Sequence, residues 1–190
     1  MKQPMNNGVQ LGPFSVEEQI GEGGMGTIYR GSHRETGVPV AIKAIRGGTD
    51  EGTRRRFHEE VHAHARLQHP GIVYLFEYGT VDEAAAEASD GELRGGNPFV
   101  VMELADRGTI RDAMPISRWK IVRGLLVQML DALAHAHARG VVHRDLKPEN
   151  LLVFEADGAS VSEGPIKLAD FGIAHAFATE RASDVEDLES

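Results

Sequence analysis

The sequence predicts an α+β fold in which a β-rich lobe with one main helix precedes the first part of a helical lobe. Between residues 14 and 45, apolar and polar positions alternate around glycine-rich turns, a pattern typical of antiparallel strands. Between residues 119 and 140, apolar side chains recur at three and four positions, which indicates an amphipathic helix. A chain of 190 residues that is 41% hydrophobic can bury the core of one domain or of two small ones.

The first lobe is predicted to contain a five-stranded antiparallel sheet. One strand runs into the glycines, a second leaves them through Thr27–Tyr29, and a third covers Val38–Ile45. Two later strand-like runs, IVYLFEYGT and PFVVMEL, complete the sheet. The polar segment between them, residues 81–97, predicts a long mobile hairpin loop with at most a short helical turn. Nothing in that segment indicates a site.

Two helices are predicted. In Thr53–Leu67, apolar positions repeat on one face, and the helix ends before the turn signal His69-Pro70-Gly71. The second helix begins near Ile116 and is closed by Gly140. Its apolar face is expected to remain largely uncovered, although Trp119 and the leucines near it have the spacing of core residues. The predicted organisation is an extension over 1–13, the first lobe over 14–104, part of a second lobe over 105–178, and an acidic segment over 179–190.

Composition excludes several classes of function. The formal net charge is -9, which argues against nucleic acid or an anionic membrane as the main partner, and Arg54–Arg56 indicates a solvated helix start. The chain has no cysteine, so disulfides, thiolate catalysis and cysteine-ligated metals are excluded. We expect a cytoplasmic protein, because the first residues lack a signal-peptide core and no stretch approaches the roughly 18 apolar residues of a membrane helix.

The stretch GEGGMGTIY contains three glycines, Gly21, Gly23 and Gly26, in a Gly-x-Gly-x-x-Gly pattern. The same pattern occurs in dinucleotide-binding folds, where the glycines open a helix, whereas here they lie between two predicted strands. A glycine-rich hairpin allows backbone N–H groups to approach phosphate oxygens without interference from a Cβ atom. An ordinary glycine-rich turn is the alternative interpretation of this stretch alone.

Lys43 lies in the middle of the apolar strand VPVAIKAI. A buried ammonium group is costly unless an anion pairs with it. Glu60, on the predicted helix, is one candidate anion and a phosphate group is another.

The stretch VVHRDLKPENLLV places a base, a cation and an amide in one short loop, at Asp145, Lys147 and Asn150. Together with Asp170-Phe171-Gly172 and the features above, it resembles the eukaryotic-type protein kinase superfamily, whose motifs fall here in the family's order from Phe14 to about Ala174. The motif sequences GEGGMGTIY and DFGIA resemble those of the bacterial serine/threonine branch. The resemblance implies a protein-kinase-like fold and transfer of the γ-phosphate of Mg-ATP to a serine or threonine hydroxyl of a protein.

The resemblance also implies roles for individual residues. Asp145 would accept the proton of the substrate hydroxyl, Lys147 would steady the γ-phosphate and mark serine/threonine substrates, and Lys43 would hold the α- and β-phosphates while paired with Glu60. Asn150 and Asp170 would hold Mg²⁺. The implied nucleotide-binding set comprises the hairpin residues Gly21, Glu22, Gly23, Gly24, Met25, Gly26, Thr27 and Ile28, the ring-contacting Ile20, Ala41 and Leu152, and Met102, Glu103 and Ala105 at the adenine end.

Arg144 and the histidines have further implied roles. In the family such an arginine is usually satisfied by a phosphorylated residue of the activation segment, and a local carboxylate is the alternative partner. Thr179 and Ser183 are candidate phosphosites. His64 and His143 resemble positions of the family's internal stack with Phe171. The nine histidines lack cysteine or carboxylate partners at ligand spacing, so we expect no histidine metal site.

The family pattern calls for an activation segment, a substrate platform and a helical lobe beyond what this sequence contains. We therefore expect a kinase domain truncated within the activation segment. A nucleotide-binding regulatory module that transfers nothing is the alternative, and a small-molecule kinase of the same fold is a third hypothesis.

Overall fold

The structure is a computed structural model that describes residues 8–48, 50–113, 118–155 and 164–172. These residues form two compact units, one of residues 8–56 and 75–104 and the other of residues 57–74 and 105–172. The helix α1 (Glu51–Ala65) belongs to both units. It begins after Asp50, whose side chain accepts a hydrogen bond from the Thr53 backbone N–H at 2.9 Å, an N-cap. The predicted phosphosites Thr179 and Ser183 lie outside the described residues.

The first unit is built on one antiparallel sheet of six strands in the order β1-β2-β3-β4-β6-β5. The strands are β1 (Gln10–Leu11), β2 (Phe14–Gly23), β3 (Gly26–His33), β4 (Pro39–Ile45), β5 (Leu75–Thr80) and β6 (Pro98–Glu103). The α+β class and the sheet are confirmed, but the count of five strands was one too low. The extra strand forms because Val9 and Leu11 are buried at 1% and 2% exposure, which draws Gln10–Leu11 into pairing with β2.

The segment between β5 and β6, predicted as a loop, contains the helix α2 (Glu83–Ala88). Asp82 caps this helix by accepting a hydrogen bond from the Ala85 N–H at 2.7 Å. Ala85 and Leu93 are buried in the same core as Tyr29, Ile42 and Phe99 of the sheet. The segment therefore covers one face of the sheet, and its alanines serve packing.

The second unit contains the helix α3 (Trp119–His137), the two-stranded sheet of β7 (Leu151–Val153) and β8 (Ile166–Leu168), and two short 3₁₀ turns at Ile110–Ala113 and Pro148–Asn150. Its core includes Leu125, Ala132 and Ala136 of α3, Leu168 of β8, and Phe171. None of the helices in the described part of the chain combines the length and the apolarity that a membrane crossing requires.

Helix α3 keeps a broad apolar face at the surface. Val127 and Leu130 are 58% and 59% exposed, in agreement with the expected uncovered face. The expectation that Trp119 lies in the core was wrong, since its exposure is 70%. Trp119 is the first residue of the helix, and none of the core residues identified in the described part of the chain covers its indole ring.

The packing of the α2 segment generates a stability prediction. We expect Leu93→Ala to lower the free energy of unfolding by roughly 2–4 kcal/mol, because truncation of a buried leucine removes apolar burial and leaves a cavity. Val38→Ala, in the same unit but at a position 46% exposed, should cost less than about 1 kcal/mol. Urea unfolding followed by circular dichroism measures both. Equal effects of the two substitutions would contradict the burial of Leu93 as a structural anchor.

Candidate active site

One face of the first unit's sheet collects several of the predicted site residues. Ile28 of β3 is the cross-strand partner of Lys43 in β4, and Ala41 of β4 is the partner of Met102 in β6. Ala41 and Lys43 lie two residues apart and so share a face, opposite to the core residue Ile42. Lys43 is 5% exposed and Met102 is 4% exposed. The register thus brings an ammonium group and three apolar side chains to one surface.

The glycine-rich stretch forms the predicted hairpin between two strands. Gly23 pairs with Gly26, so that Gly24 and Met25 form a two-residue turn. A Cβ atom on Gly23 or Gly24 would meet no other heavy atom within 4 Å, whereas one on Gly26 would overlap the Ala44 carbonyl oxygen. Gly26 is therefore required for packing against β4. The tip around Gly23 and Gly24 leaves the open backbone surface that phosphate oxygens could approach.

In the second unit, the Asp145 carboxylate is contacted by two side chains, those of Lys147 and Asn150. The Lys147 ammonium lies 2.6 Å from Asp145 Oδ2. Asn150 Nδ2 donates to the Asp145 backbone carbonyl at 2.8 Å and to Oδ2 at 3.1 Å. Asn150 is buried, at 5% exposure, in the 3₁₀ turn that follows the loop. These contacts fix the orientation of the Asp145 carboxylate while its side chain keeps 27% exposure.

Arg144 pairs with a carboxylate, the alternative partner considered from the sequence, and that carboxylate is 84 residues away along the chain. Arg144 Nη1 lies 2.6 Å from Glu60 Oε1 of α1. The Glu60 carboxylate also lies against Gly172, where a Cβ atom would overlap it. The predicted pairing of Glu60 with Lys43 stays a prediction.

A ring stack of two histidines and one phenylalanine lies beside these groups. The ring centroid of Phe171 is 5.4 Å from that of His64 and 4.5 Å from that of His143. Burial lowers the pKa of His64 to about 4, against a smaller opposing effect of its hydrogen bond with the Val73 carbonyl. Burial also lowers the pKa of His143. Both rings are therefore uncharged at neutral pH and pack as apolar groups.

The remaining predicted residues of the second unit lie in its loops and short strands. Leu152 is in β7, where it pairs with Lys167 of β8, and Ala105 follows the end of β6. Asp170 has a backbone φ of 63°, a left-handed conformation that Arg144 shares. Such a conformation is uncommon for residues other than glycine and occurs often at functional sites. Among the described residues no cluster of three histidine, aspartate or glutamate side chains is arranged to hold a metal.

Two contacts near the predicted residues were not foreseen. Arg46, at the end of β4, forms an ion pair with Glu22 of the hairpin, and the Tyr29 hydroxyl donates to Glu92 at 3.5 Å. The partners are 24 and 63 residues apart in sequence, so no local pattern indicates them. Strand register supplies the only signal for the first pair, because Glu22 opposes Thr27 and Thr27 opposes Ala44, two residues before Arg46.

Comparison with known proteins places the chain among kinases. A family model described as protein kinase domain matches residues 14–188. The chain is 34% identical over 183 residues to the serine/threonine-protein kinase PknL of Mycobacterium tuberculosis, with 93% of this chain and 41% of that protein covered. It is 34% identical over 176 residues to the serine/threonine-protein kinase Pkn1 of Myxococcus xanthus, of which 22% is covered. The chain thus spans less than half the length of these relatives.

A solved structure gives the same result for the fold. The crystal structure of the Mycobacterium tuberculosis PknI kinase domain matches with a TM-score of 0.65 and 27% sequence identity. The match covers 88% of this chain and 62% of that one.

The buried histidine generates a pH prediction. The pKa of His64 is about 4 in the folded chain against an ordinary value of 6.5, so the unfolded state binds the proton first as the pH falls. The free energy of unfolding should be independent of this group above pH 6.5 and should fall by roughly 3 kcal/mol between pH 6.5 and 4. Urea unfolding at a series of pH values from 4 to 8 measures the slope.

His64→Leu removes this titration and should flatten the slope in that window. His62→Leu, an exposed histidine of the same helix, is the matched control and should leave the slope unchanged. Identical slopes in the wild type and both variants would contradict the assignment of a buried neutral imidazole at His64.

Proposed function

The chain belongs to the protein kinase domain family, and on that premise we propose that it is part of an ATP-dependent serine/threonine protein kinase. The proposed reaction transfers the γ-phosphate of Mg-ATP to a serine or threonine hydroxyl of a protein. The observation that carries the proposal is the convergence of Lys147 and Asn150 on the Asp145 carboxylate. We further propose that residues 14–104 are the N-lobe and that residues 105–178 belong to the C-lobe.

Asp145 is the proposed base. The contacts from Lys147 and Asn150 hold its carboxylate in one orientation while the side chain stays accessible. The substrate hydroxyl would give its proton to Asp145 while its oxygen forms a bond to the γ-phosphorus. The bond from that phosphorus to the β–γ bridging oxygen breaks, and ADP leaves with the electron pair. Lys147 would neutralise charge on the phosphoryl group during the transfer.

Asn150 and Asp170 fit the proposed magnesium site by the chemistry of their donors. Both hydrogen bonds of the Asn150 side chain use Nδ2, and no described residue donates to its amide oxygen. An amide oxygen and the Asp170 carboxylate are the hard ligands that Mg²⁺ prefers. When bound, the ion would neutralise phosphate charge in the transition state. The two residues would hold it from the loop after Lys147 and from the Asp170-Phe171-Gly172 stretch.

The nucleotide-binding roles follow from the face of the sheet in the first unit. Lys43 offers a buried cation for the α- and β-phosphates, and the space around the backbone at Gly23 and Gly24 would allow phosphate oxygens to approach. Ile28, Ala41 and Met102 provide apolar surface for the adenine ring, with backbone groups of Glu103 and Ala105 as hydrogen-bonding partners. Ile20 of the same sheet adds a further proposed apolar contact.

Removal of the proposed base gives the primary test. We expect Asp145→Asn to reduce transfer of labelled γ-phosphate to a generic protein substrate by roughly 10²–10⁴-fold, with unchanged melting temperature and nucleotide affinity. Asp131→Asn, an exposed aspartate of α3, is the matched control and should retain transfer. Transfer that persists in Asp145→Asn would overturn the assignment. A soluble wild type that binds ATP but transfers nothing would favour the regulatory module instead.

Asp170→Asn tests the metal assignment. Asparagine tolerates the left-handed backbone of this position, so the fold should be retained while one anionic ligand is lost. We expect the Mg²⁺ concentration for half-maximal transfer to rise about tenfold or more. A magnesium titration of the transfer rate measures it, and an unchanged half-maximal concentration would contradict the role of Asp170.

A further inference from the structure

The first unit contains a cavity of about 490 Å³ on the side of the sheet that the α2 segment covers. This volume lies within the range of small-molecule sites. Its lining comes from three places: Thr27 on β3, the end of β4 at residues 44–47, and the α2 segment at Val81, residues 91–95 and Asn97. Thr27 is the one residue of the implied nucleotide-binding set in this lining, and it pairs with Ala44, on the face of the sheet opposite to Lys43. The cavity and the Lys43 surface therefore lie on opposite faces of the sheet.

The cavity has fixed walls. Ser89 is 3% exposed, and its hydroxyl accepts from the Leu93 N–H at 2.9 Å and donates to the Ala86 carbonyl at 2.7 Å. The N–H of Gly96 donates to the Val81 carbonyl at 2.8 Å, and the N–H of Val81 donates to the Asn97 carbonyl at 2.9 Å. These bonds hold residues 89–97 in one conformation against the sheet. The cavity is therefore a preformed site, which lowers the entropic cost of binding.

The side chains at the cavity offer donors that the protein does not use fully. Arg94 is exposed, and its guanidinium group has no hydrogen-bond or ion-pair partner among the described residues. Arg54 is outside the lining; it donates from Nη2 at 3.4 Å to the carbonyl of Gly96, between the lining residues Gly95 and Asn97, while its buried Nε has no partner within the described part of the chain. Arg46 lines the cavity and pairs with Glu22 of the hairpin.

Two carboxylates at or beside the cavity already have contacts within the protein. Glu92 accepts from the Tyr29 hydroxyl, and the Glu83 carboxylate occupies the space beside Gly95. The group with most unused capacity is thus the Arg94 guanidinium, whose planar fork matches a carboxylate or a phosphate.

We propose that this cavity binds a small molecule that carries a phosphate or carboxylate group, with Arg94 and Arg46 as the anion-binding residues. Binding at Arg46 competes with the ion pair to Glu22. Because Glu22 lies in the glycine-rich hairpin and the Arg46 N–H donates to the Met25 carbonyl at 2.9 Å, occupancy is linked to the conformation of the hairpin tip. The cavity is then an effector site whose ligand acts on the hairpin.

The test uses the full chain without nucleotide, so its outcome does not depend on phosphotransfer. Inorganic phosphate and citrate are titrated separately at constant ionic strength, set with sodium chloride, and amide chemical shifts of Gly91, Arg94, Gly95 and Asn97 are followed by NMR. We expect saturable shifts with at least one anion, and the more effective anion identifies whether phosphate or carboxylate chemistry is preferred. Shifts that fail to saturate with both anions would overturn the proposal.

Two substitutions should change the affinity in opposite directions. Arg94→Gln should weaken binding about tenfold, because it removes a charge-assisted hydrogen-bonding pair. Glu22→Gln should strengthen binding about threefold, because it releases Arg46 from its competing carboxylate.

Matched controls distinguish anion binding at the cavity from an effect of the protein's overall charge on the affinity. Glu17→Gln removes an acid from the same strand as Glu22, and Arg34→Gln removes an exposed arginine from the same unit; each should change the affinity less than twofold. Lys43→Met tests binding at the proposed nucleotide surface. Loss of the anion in Lys43→Met with retention in Arg94→Gln would overturn the proposal, as would equal effects of Glu17→Gln and Glu22→Gln.

Discussion

The packing of the Phe171 ring between two uncharged imidazoles is the interaction on which the second unit depends. Phe171 follows Asp170 directly, His143 precedes the Arg144-Asp145 pair, and His64 belongs to helix α1. One aromatic ring therefore joins the helix, the loop of the proposed base and the proposed metal ligand. The stack is apolar only while both histidines are neutral, and burial secures that state by lowering both pKa values. A leucine would provide the same contact without this dependence on proton binding.

In the sheet of the first unit, strand β4 contributes different residues to the two faces. In β4, Val40, Ile42 and Ala44 face the core that the α2 segment covers, while Ala41 and Lys43 face the proposed nucleotide surface. Because successive side chains point to opposite faces, a change on one face reaches the other only through the backbone. Arg46 and Glu22 provide a second route, since their ion pair joins the end of β4 to the hairpin at the surface.

The sequence predicted the features whose residues form a pattern over a short stretch of the chain. The glycine hairpin, the strand of Lys43 and the short loop of Asp145 and Asn150 could be placed because each is set by neighbours within about ten positions. Pairing over long separations could not be predicted, since Glu60 met Arg144 across 84 residues. The strand Gln10–Leu11 pairs with Phe14 and Ser15, which are close in sequence, and it was missed because two residues are too few to show the alternation of a strand. Segment 81–97 was predicted as a loop that could form a short helical turn; that turn exists as α2, but the packing of Ala85 in the core was not predicted. Trp119 was wrongly assigned to the core because helical periodicity shows which residues share a face of a helix but not whether another element packs on that face.

The left-handed backbone at Arg144 and Asp170 has a consequence for how the chain assembles. This conformation costs about 1–2 kcal/mol for a residue such as arginine, and less for an aspartate. It is held by bonds between segments distant in sequence, such as the N–H of Gly172 to the His143 carbonyl at 3.2 Å and the N–H of Ala169 to the Asn150 carbonyl at 2.9 Å. The β2–β3 hairpin, by contrast, closes through a two-residue turn. Since local hairpins form in microseconds and distant contacts must first close long loops, the β2–β3 hairpin should form early in folding and the Asp145 loop should acquire its geometry late.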